Sequence, residues 1–445
     1  MNTRLRQQLA DPALQQRLIQ LAADANGSTL LSLTLDLGPG TDDWLAQLPE
    51  QAPYWYRARP ASGEFRLAIG HALHLSSDGA ERFTALGNAY AGMTRDWRHA
   101  GHVLAFCGFS FAAHSGNSDL PSALLAVPAI ALESSHGHCR AILTTTVARI
   151  DEAVSNWCQL IAQPMRAWAL HLLPEADRTL AERAWVARVN AAQRAINIGH
   201  LEKLVLARKR QFQASTQVST RHLLEMLSAH QPDACIYAFS QGSTTFLGAT
   251  PERLVRLHER QIAADALAGT AWPGSIALEE SKNRHEQSLV VRAIVAALAP
   301  LCQAAPSAHP VEIQHAGRVS HLRSRIEAKA LSSTTLFDLL GALHPTPAVG
   351  GYPTAAALDW LQTHGEQRSG WYSGGIGILD GKGNGEFSVA LRSALIQGRQ
   401  IELQAGAGIV ADSDPWQELA ETDAKLSTLL DVLHGTQSTR QKIGS

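Results

Sequence analysis

The sequence predicts an α+β fold in which large antiparallel sheets are covered by helices. Three observations carry that expectation. Strand-like runs cluster toward the C-terminus at Gly374–Leu379, Phe387–Gln397 and Gln400–Val410, separated by the Gly-rich and polar turns Asp380–Gly385 and Gly398–Arg399. Long helical patterns stand apart from these groups instead of alternating with them one for one. Hydrophobic residues make up 45% of the 445 residues and charged residues 18%, enough apolar material for a large core and too much for a disordered chain.

Taken in chain order, Leu30–Leu37, Phe65–His71 and Val103–Phe109 read as strands, and the rest of the first 175 residues has little periodicity. A helix is predicted over Ala181–Ile198, where Trp185, Val189, Ala192 and Ile196 form an i, i+4, i+7, i+11 stripe and Gly199 stands where a left-handed C-terminal residue is expected. Leu201–Phe212 then changes to a strand, Phe246–Thr250 is a short strand stopped by Pro251, Ser281–Leu301 is a helix, and a last helix covers Pro415–Leu433. The expected organisation is a variable N-terminal half over residues 1–175, a core over 176–435 and a tail over 436–445.

Lys plus Arg total 38 and Asp plus Glu 40, a net charge of −2, so a basic surface for nucleic acid is not expected. No apolar run approaches the roughly 18 residues of a membrane helix, and the first residues lack the apolar stretch of a secretory signal. Five cysteines at 107, 139, 158, 235 and 302 form no CxxC pair, which fits a reducing, cytoplasmic setting. His136-Gly-His138-Cys139 offers metal-ligand types without a second pair at matching spacing, and surface or core histidines are the competing reading.

Several constellations carry chemistry. Lys203 opens an apolar strand whose face also carries Val205 and Ala207; it is either an edge lysine or a desolvated base. Glu252 follows Pro251 at a strand end, as a turn glutamate or as a proton donor raised by burial. Ala268-Gly269-Thr270 is a structural turn or a loop that lets a ligand approach the backbone. Glu286 lies on the apolar stripe of its helix with Leu289 and Val290 and needs a cationic partner. Glu418, Glu421 and Lys425 share one helix face, either as an ordinary Glu421–Lys425 pair or as part of a site where carboxylates from two helices hold Mg²⁺. Arg392 shares a strand face with the small Ala390 and Ala394, leaving room for a carboxylate. Gln404, Gly406 and Gly408 lie on one face of the next strand, where missing side chains leave space to be filled. His344–Pro353 reads as a rigid loop, scaffolding beside a site.

Ten segments in order, KLVLAR from 203, GATPERL from 248, ALAGT from 266, SKNRHEQ from 281, SHL from 320, HPTPAVGGYP from 344, WYSGGIG from 371, GNGEFSVALRSA from 383, AGAGIV from 405 and ETDAK from 421, resemble the chorismate-utilising enzymes, and among them the isochorismate synthases. They span about residues 185–430. The resemblance implies a single large chorismate-binding α+β domain, two antiparallel sheets forming a sandwich flanked by helices. It implies Mg²⁺ held by Glu286 and Glu421 with Glu418 acting through water, Lys203 as the base that activates water, and Glu252 as the acid for the departing hydroxyl. Substrate contacts are implied for Gly269, Thr270, His321, Ala348, Tyr372, Arg392, Gly406 and Lys425.

The implied reaction is conversion of chorismate to isochorismate by addition of water at ring carbon two and loss of the hydroxyl at ring carbon four, feeding menaquinone, siderophore or salicylate synthesis. A monomer with no glutaminase subunit is expected. Ala268 stands where covalent aminodeoxychorismate synthases carry lysine, and Lys203 stands where anthranilate synthases do not. Salicylate synthesis with added pyruvate elimination and a non-catalytic chorismate-binding paralogue are the alternatives. Gln287, where histidine usually follows the metal glutamate, and Leu419-Ala420, where a Trp-containing spacer is usual, are departures expected to alter packing behind the metal site.

Overall fold

The computed structural model describes residues 2–40, 43–114, 120–162, 165, 170–173, 177–272 and 281–438. Among these, twenty strands form one hydrogen-bonded network. The 13-residue strand Ala123–Ser135 is its branch point. It pairs along its length with Glu64–Ser77 on one side, and on the other first with Leu104–Phe109 and then with His138–Thr146. One arm runs on from Glu64–Ser77 through Tyr54–Arg59, Cys235–Gln241, Thr244–Thr250, Ser393–Gln397 and Gln400–Ile409 to Lys203–Gln213. The other runs from Leu104–Phe109 through Gly375–Asp380, Gly385–Val389, Arg253–His258 and Gln261–Ala271 to Val319–Lys329. These pairs are antiparallel; Leu30–Pro39 against Arg98–Ala100 is parallel.

The two arms face each other across a buried layer containing Trp55 and Phe239 from one and Phe106, Trp371 and Ile378 from the other. Trp371 stacks on Phe239 at 4.9 Å and on Trp55 at 5.5 Å, and its indole N–H donates to the Pro121 carbonyl at 2.9 Å. This is a sandwich, as the family resemblance implies, with its layers joined through one shared strand into a single network. Helices cover both outer faces: Asn2–Leu9, Pro12–Ala22 and Thr220–His230 on one, Arg82–Asp96, Ser281–Leu298 and Leu336–Leu343 on the other. None of the described helices is long and apolar enough to cross a membrane.

The amphipathic stripe Trp185, Val189, Ala192 and Ile196 is buried in the helix Thr179–Asn197, and Gly199 has φ +91°. Each large apolar side chain so buried contributes about 1.5–3 kcal/mol. The C-terminal helix extends farther than predicted, to Ser438, and the remainder of the expected tail lies outside the described residues.

The strand predicted over Phe387–Gln397 is two strands, Gly385–Val389 and Ser393–Gln397, each in a different arm. Between them Arg392 has φ +51°, so it does not share a regular strand face with Ala390 and Ala394. The break takes the chain from one layer to the other and leaves Arg392 at the crossing.

Candidate active site

One cavity of about 80 Å³ is lined by Lys203, Glu252, Gly269, Thr270, Glu286, His321, Ala348, Tyr372, Arg392, Gly406, Glu421 and Lys425. It lies where the two arms approach the helices Ser281–Leu298 and Pro415–Ser438. Lys203, the first residue of its strand, is 1% exposed, and its Nζ lies 2.7 Å from Glu286 Oε1. The partner strand carries Gly408 opposite Val205 and Gly406 opposite Ala207. A Cβ on Gly408 would stand 2.6 Å from Glu286 Oε1 and 2.8 Å from Lys203 Cε, so the missing side chain makes the space in which that ion pair sits.

Glu252 lies at the crossing between Thr244–Thr250, the strand of the Lys203 arm that Pro251 ends, and Arg253–His258 of the other arm, and is 4% exposed. Burial and the nearby Asp265 carboxylate push its carboxyl up to about 8, against the pull of Lys203, Lys425 and Arg392. It is therefore protonated at neutral pH and able to donate.

His321 and Arg392 form a third wall. Burial, with Arg392 and Lys425 nearby, pushes the His321 imidazole well below its usual range, so the ring is neutral. A guanidinium only donates, so Arg392 Nη2 donates to His321 Nε2 at 3.2 Å. His321 Nδ1 then carries the proton and faces the Gly269 carbonyl at 3.3 Å and Thr270 Oγ1 at 3.2 Å. A bulge between Ala268 and Thr270, with Gly269 at φ +66°, aligns Thr270 opposite His321. Burial lowers the Arg392 guanidinium to about 10, and it lines the cavity, where a guanidinium can bind an anionic ligand.

On the C-terminal helix, Lys425 Nζ lies 2.5 Å from Glu421 Oε1 and donates to the Gly406 carbonyl at 2.9 Å. The i, i+4 pair and the cavity position thus coexist. A Cβ on Gly406 would meet the Leu206 carbonyl at 2.8 Å and the Tyr372 hydroxyl at 3.1 Å. Glu418 is buried one turn before Glu421 but is not among the residues lining the cavity.

Glu286 and Glu421 bring carboxylates from two helices to one cavity. Among the described residues no group of three or more His, Cys, Asp or Glu side chains is placed to hold a metal. Two protein carboxylates facing one cavity fit a hard cation that keeps water and takes further oxygens from a ligand, as Mg²⁺ does. Behind Glu286, Gln287 is 2% exposed and donates from Nε2 to the Ala266 carbonyl at 3.0 Å and to Ser324 Oγ at 3.3 Å. His138, in the weaker metal motif, is exposed and lies 3.0 Å from Asp36, while Cys139 beside it is buried.

Sequence reasoning missed Ser373, Val349 and Leu391 in the cavity wall and Asp265 behind Glu252. Ser373 and Val349 sit inside the WYSGGIG and HPTPAVGG segments, whose wording was the available signal. Asp265 had none, because its effect depends on a neighbouring strand.

The profile of the chorismate binding enzyme family matches residues 16–434. A salicylate biosynthesis isochorismate synthase of Pseudomonas aeruginosa is 41% identical over 261 residues, 56% of this chain and 55% of that protein. The isochorismate synthase MenF of Bacillus subtilis is 34% identical over 261 residues, again 56% and 55%. The match thus spans about half the length of these curated relatives. Among solved structures, the menaquinone-specific isochorismate synthase MenF from Escherichia coli has a TM-score of 0.78 at 24% identity, covering 94% of this chain and 98% of that one. At that identity it shows a shared fold. The structure of a putative 2,3-dihydroxybenzoate-specific isochorismate synthase, DhbC, from Bacillus anthracis has a TM-score of 0.70 at 25% identity, covering 87% and 98%.

Proposed function

This chain belongs to the chorismate binding enzymes, and on that premise we propose that it is an isochorismate synthase, adding water to ring carbon two of chorismate and releasing the hydroxyl of ring carbon four. The observation that carries the reading is that Lys203 and the protonated Glu252 open into the same cavity as Glu286 and Glu421. A base, an acid and a pair of oxygen ligands are what this exchange needs, and the relatives named isochorismate synthases support the same reaction.

In its neutral amine form, Lys203 takes a proton from water as the water oxygen bonds to ring carbon two. The ring double bonds shift, the bond from ring carbon four to its hydroxyl breaks, and Glu252 delivers a proton so that the group leaves as water. Arg392 and the Gly269–Thr270 backbone hold substrate carboxylate and hydroxyl groups, and Tyr372, Ala348 and Gly406 shape the wall against the ring. Glu286 and Glu421 would hold Mg²⁺, and the bound ion would supply Lewis-acid stabilisation of negative charge on the substrate. Glu418, one turn before Glu421, acts on the cation through water. Ala268, 6% exposed, offers no amine beside the Gly269–Thr270 loop, so a covalent amine route lacks its nucleophile.

The test is incubation of the purified chain with chorismate, with and without Mg²⁺, and chromatographic identification of the product. Isochorismate formed only with the cation supports the reading. Salicylate with pyruvate as the main output transfers the chain to the lyase-bearing class, and no conversion of chorismate overturns the proposal.

A further inference from the structure

Arg368 is a buried arginine outside the cavity that no part of the proposed chemistry uses. Its side chain is 3% exposed, as is that of Glu366. Burying a guanidinium is costly unless its donors are satisfied, so where these donors point is informative.

They point at two backbone carbonyls. Nη2 donates to the Val205 carbonyl at 2.9 Å and Nη1 to the Val349 carbonyl at 2.8 Å. Val205 is two residues along the strand from Lys203, and Val349 follows Ala348; all four line the cavity. The guanidinium rests on the Phe111 ring, 3.7 Å from its centroid, and Nε lies 3.5 Å from Glu366 Oε1.

The Lys203–Gln213 strand explains the arrangement. One edge pairs with Gln400–Ile409, and the other meets Gly351–Tyr352 only opposite Lys203 and Leu204. Beyond that point no strand continues the ladder among the described residues. Val205 N–H donates to the Gly350 carbonyl at 3.1 Å, after which charged side chains take over. Arg368 takes the Val205 carbonyl, Glu366 Oε1 accepts from the Ala207 N–H at 2.8 Å, and Arg188 Nη1 donates to the Ala207 carbonyl at 3.0 Å. Arg188 and Glu366 are themselves ion-paired. Side chains thus stand in for a missing neighbour strand over the residues that follow the lysine.

We infer that Arg368 is a positioning residue: one guanidinium, bridging Val205 and Val349, sets the separation between the Lys203 strand and the Ala348 wall. Its planar fork spans two carbonyls with two nitrogens, which a lysine ammonium on a flexible stem does not reproduce. The inference rests on the proposed reading of the cavity as the site of water addition.

Arg368→Lys tests it, with Arg368→Met as the second variant; Glu366 keeps Arg188 as its ion-pair partner, so no carboxylate is left unpaired. In both, kcat per folded molecule is expected to fall by about 10- to 100-fold while KM for chorismate moves less than about threefold, because misplacement of a base is felt in the transition state. Hydrogen exchange is expected to rise together in residues 204–207 and 348–351. Full kcat per folded molecule, with loss only of thermal stability, overturns the inference by making Arg368 a packing residue. Exchange at the parent rate in either segment overturns it as well. If the parent chain converts no chorismate, the proposed function falls on its own, and the exchange measurement decides separately whether Arg368 ties the two segments.

Discussion

Lys203 Nζ lies 2.7 Å from Glu286 Oε1, so the proposed base and one proposed metal ligand hold each other in the heart of the cavity. Two groups assigned separate tasks in water addition are thereby a single electrostatic unit, and replacing one disturbs the other.

Lys203→Met is therefore expected to lose turnover by about 100- to 10,000-fold, the range for a general base, and also to change the Mg²⁺ dependence. Turnover at increasing Mg²⁺ in the variant and parent checks both effects. Near-parent turnover removes Lys203 from the mechanism, and a changed rate with an identical Mg²⁺ curve removes its link to Glu286.

Glu252 sets a pH limit. Its folded carboxyl lies near 8 against the usual 4.5, so kcat/KM is expected to fall on the alkaline side with a midpoint near 8 as the acid loses its proton. The same displacement acts on stability. Between the two values the folded chain keeps a proton that the unfolded chain has released. Glu252's contribution is therefore intact below about 4.5, declines as pH rises, and is fully lost above about 8. Glu252→Gln is expected to cut turnover by about 100- to 10,000-fold and to gain stability relative to the parent as pH rises through that window. Denaturant melts at the two ends check it; a pH-independent difference contradicts the buried, protonated assignment.

Gly408 tests the space around the ion pair. Gly408→Ala places a carbon 2.6 Å from Glu286 Oε1 and 2.8 Å from Lys203 Cε, closer than such contacts allow. Loss of turnover with a raised Mg²⁺ requirement is expected, because both side chains must shift. A folded variant with the parent's Mg²⁺ titration shows that Glu286 does not depend on this space.

Gln287 tests the support behind Glu286. Its side-chain amide donates to Ala266 and Ser324 on adjacent strands, bonds that an imidazole would make with different reach. Gln287→His is expected to shift the Mg²⁺ concentration for half-maximal turnover with little change in kcat. An unchanged titration shows that this position has no influence on the cation.

Much of the second half of the chain was legible because its chemistry-bearing residues sit in distinctive local wording and its helices have one apolar face. The spacing of Trp185, Val189, Ala192 and Ile196 alone places them on a buried stripe. Ala123–Ser135 could not be assigned, because a strand buried on both faces reads as a continuous apolar run without a period of two. The strand break at Arg392 was hidden for another reason: alternation continues through Ala390 and Ala394, while the turn is imposed by tertiary packing. Arg368 and Asp265 act on backbone and side chains supplied by distant segments, a relation that no local pattern encodes.

The central claim is that solvent water, activated beside Lys203, becomes the new hydroxyl on ring carbon two. Conversion of chorismate by the purified chain in oxygen-labelled water with Mg²⁺, followed by mass spectrometry of the product, tests it most directly. The account predicts isochorismate carrying one labelled oxygen, at ring carbon two; isochorismate formed without label, its hydroxyl moved within the substrate, contradicts it.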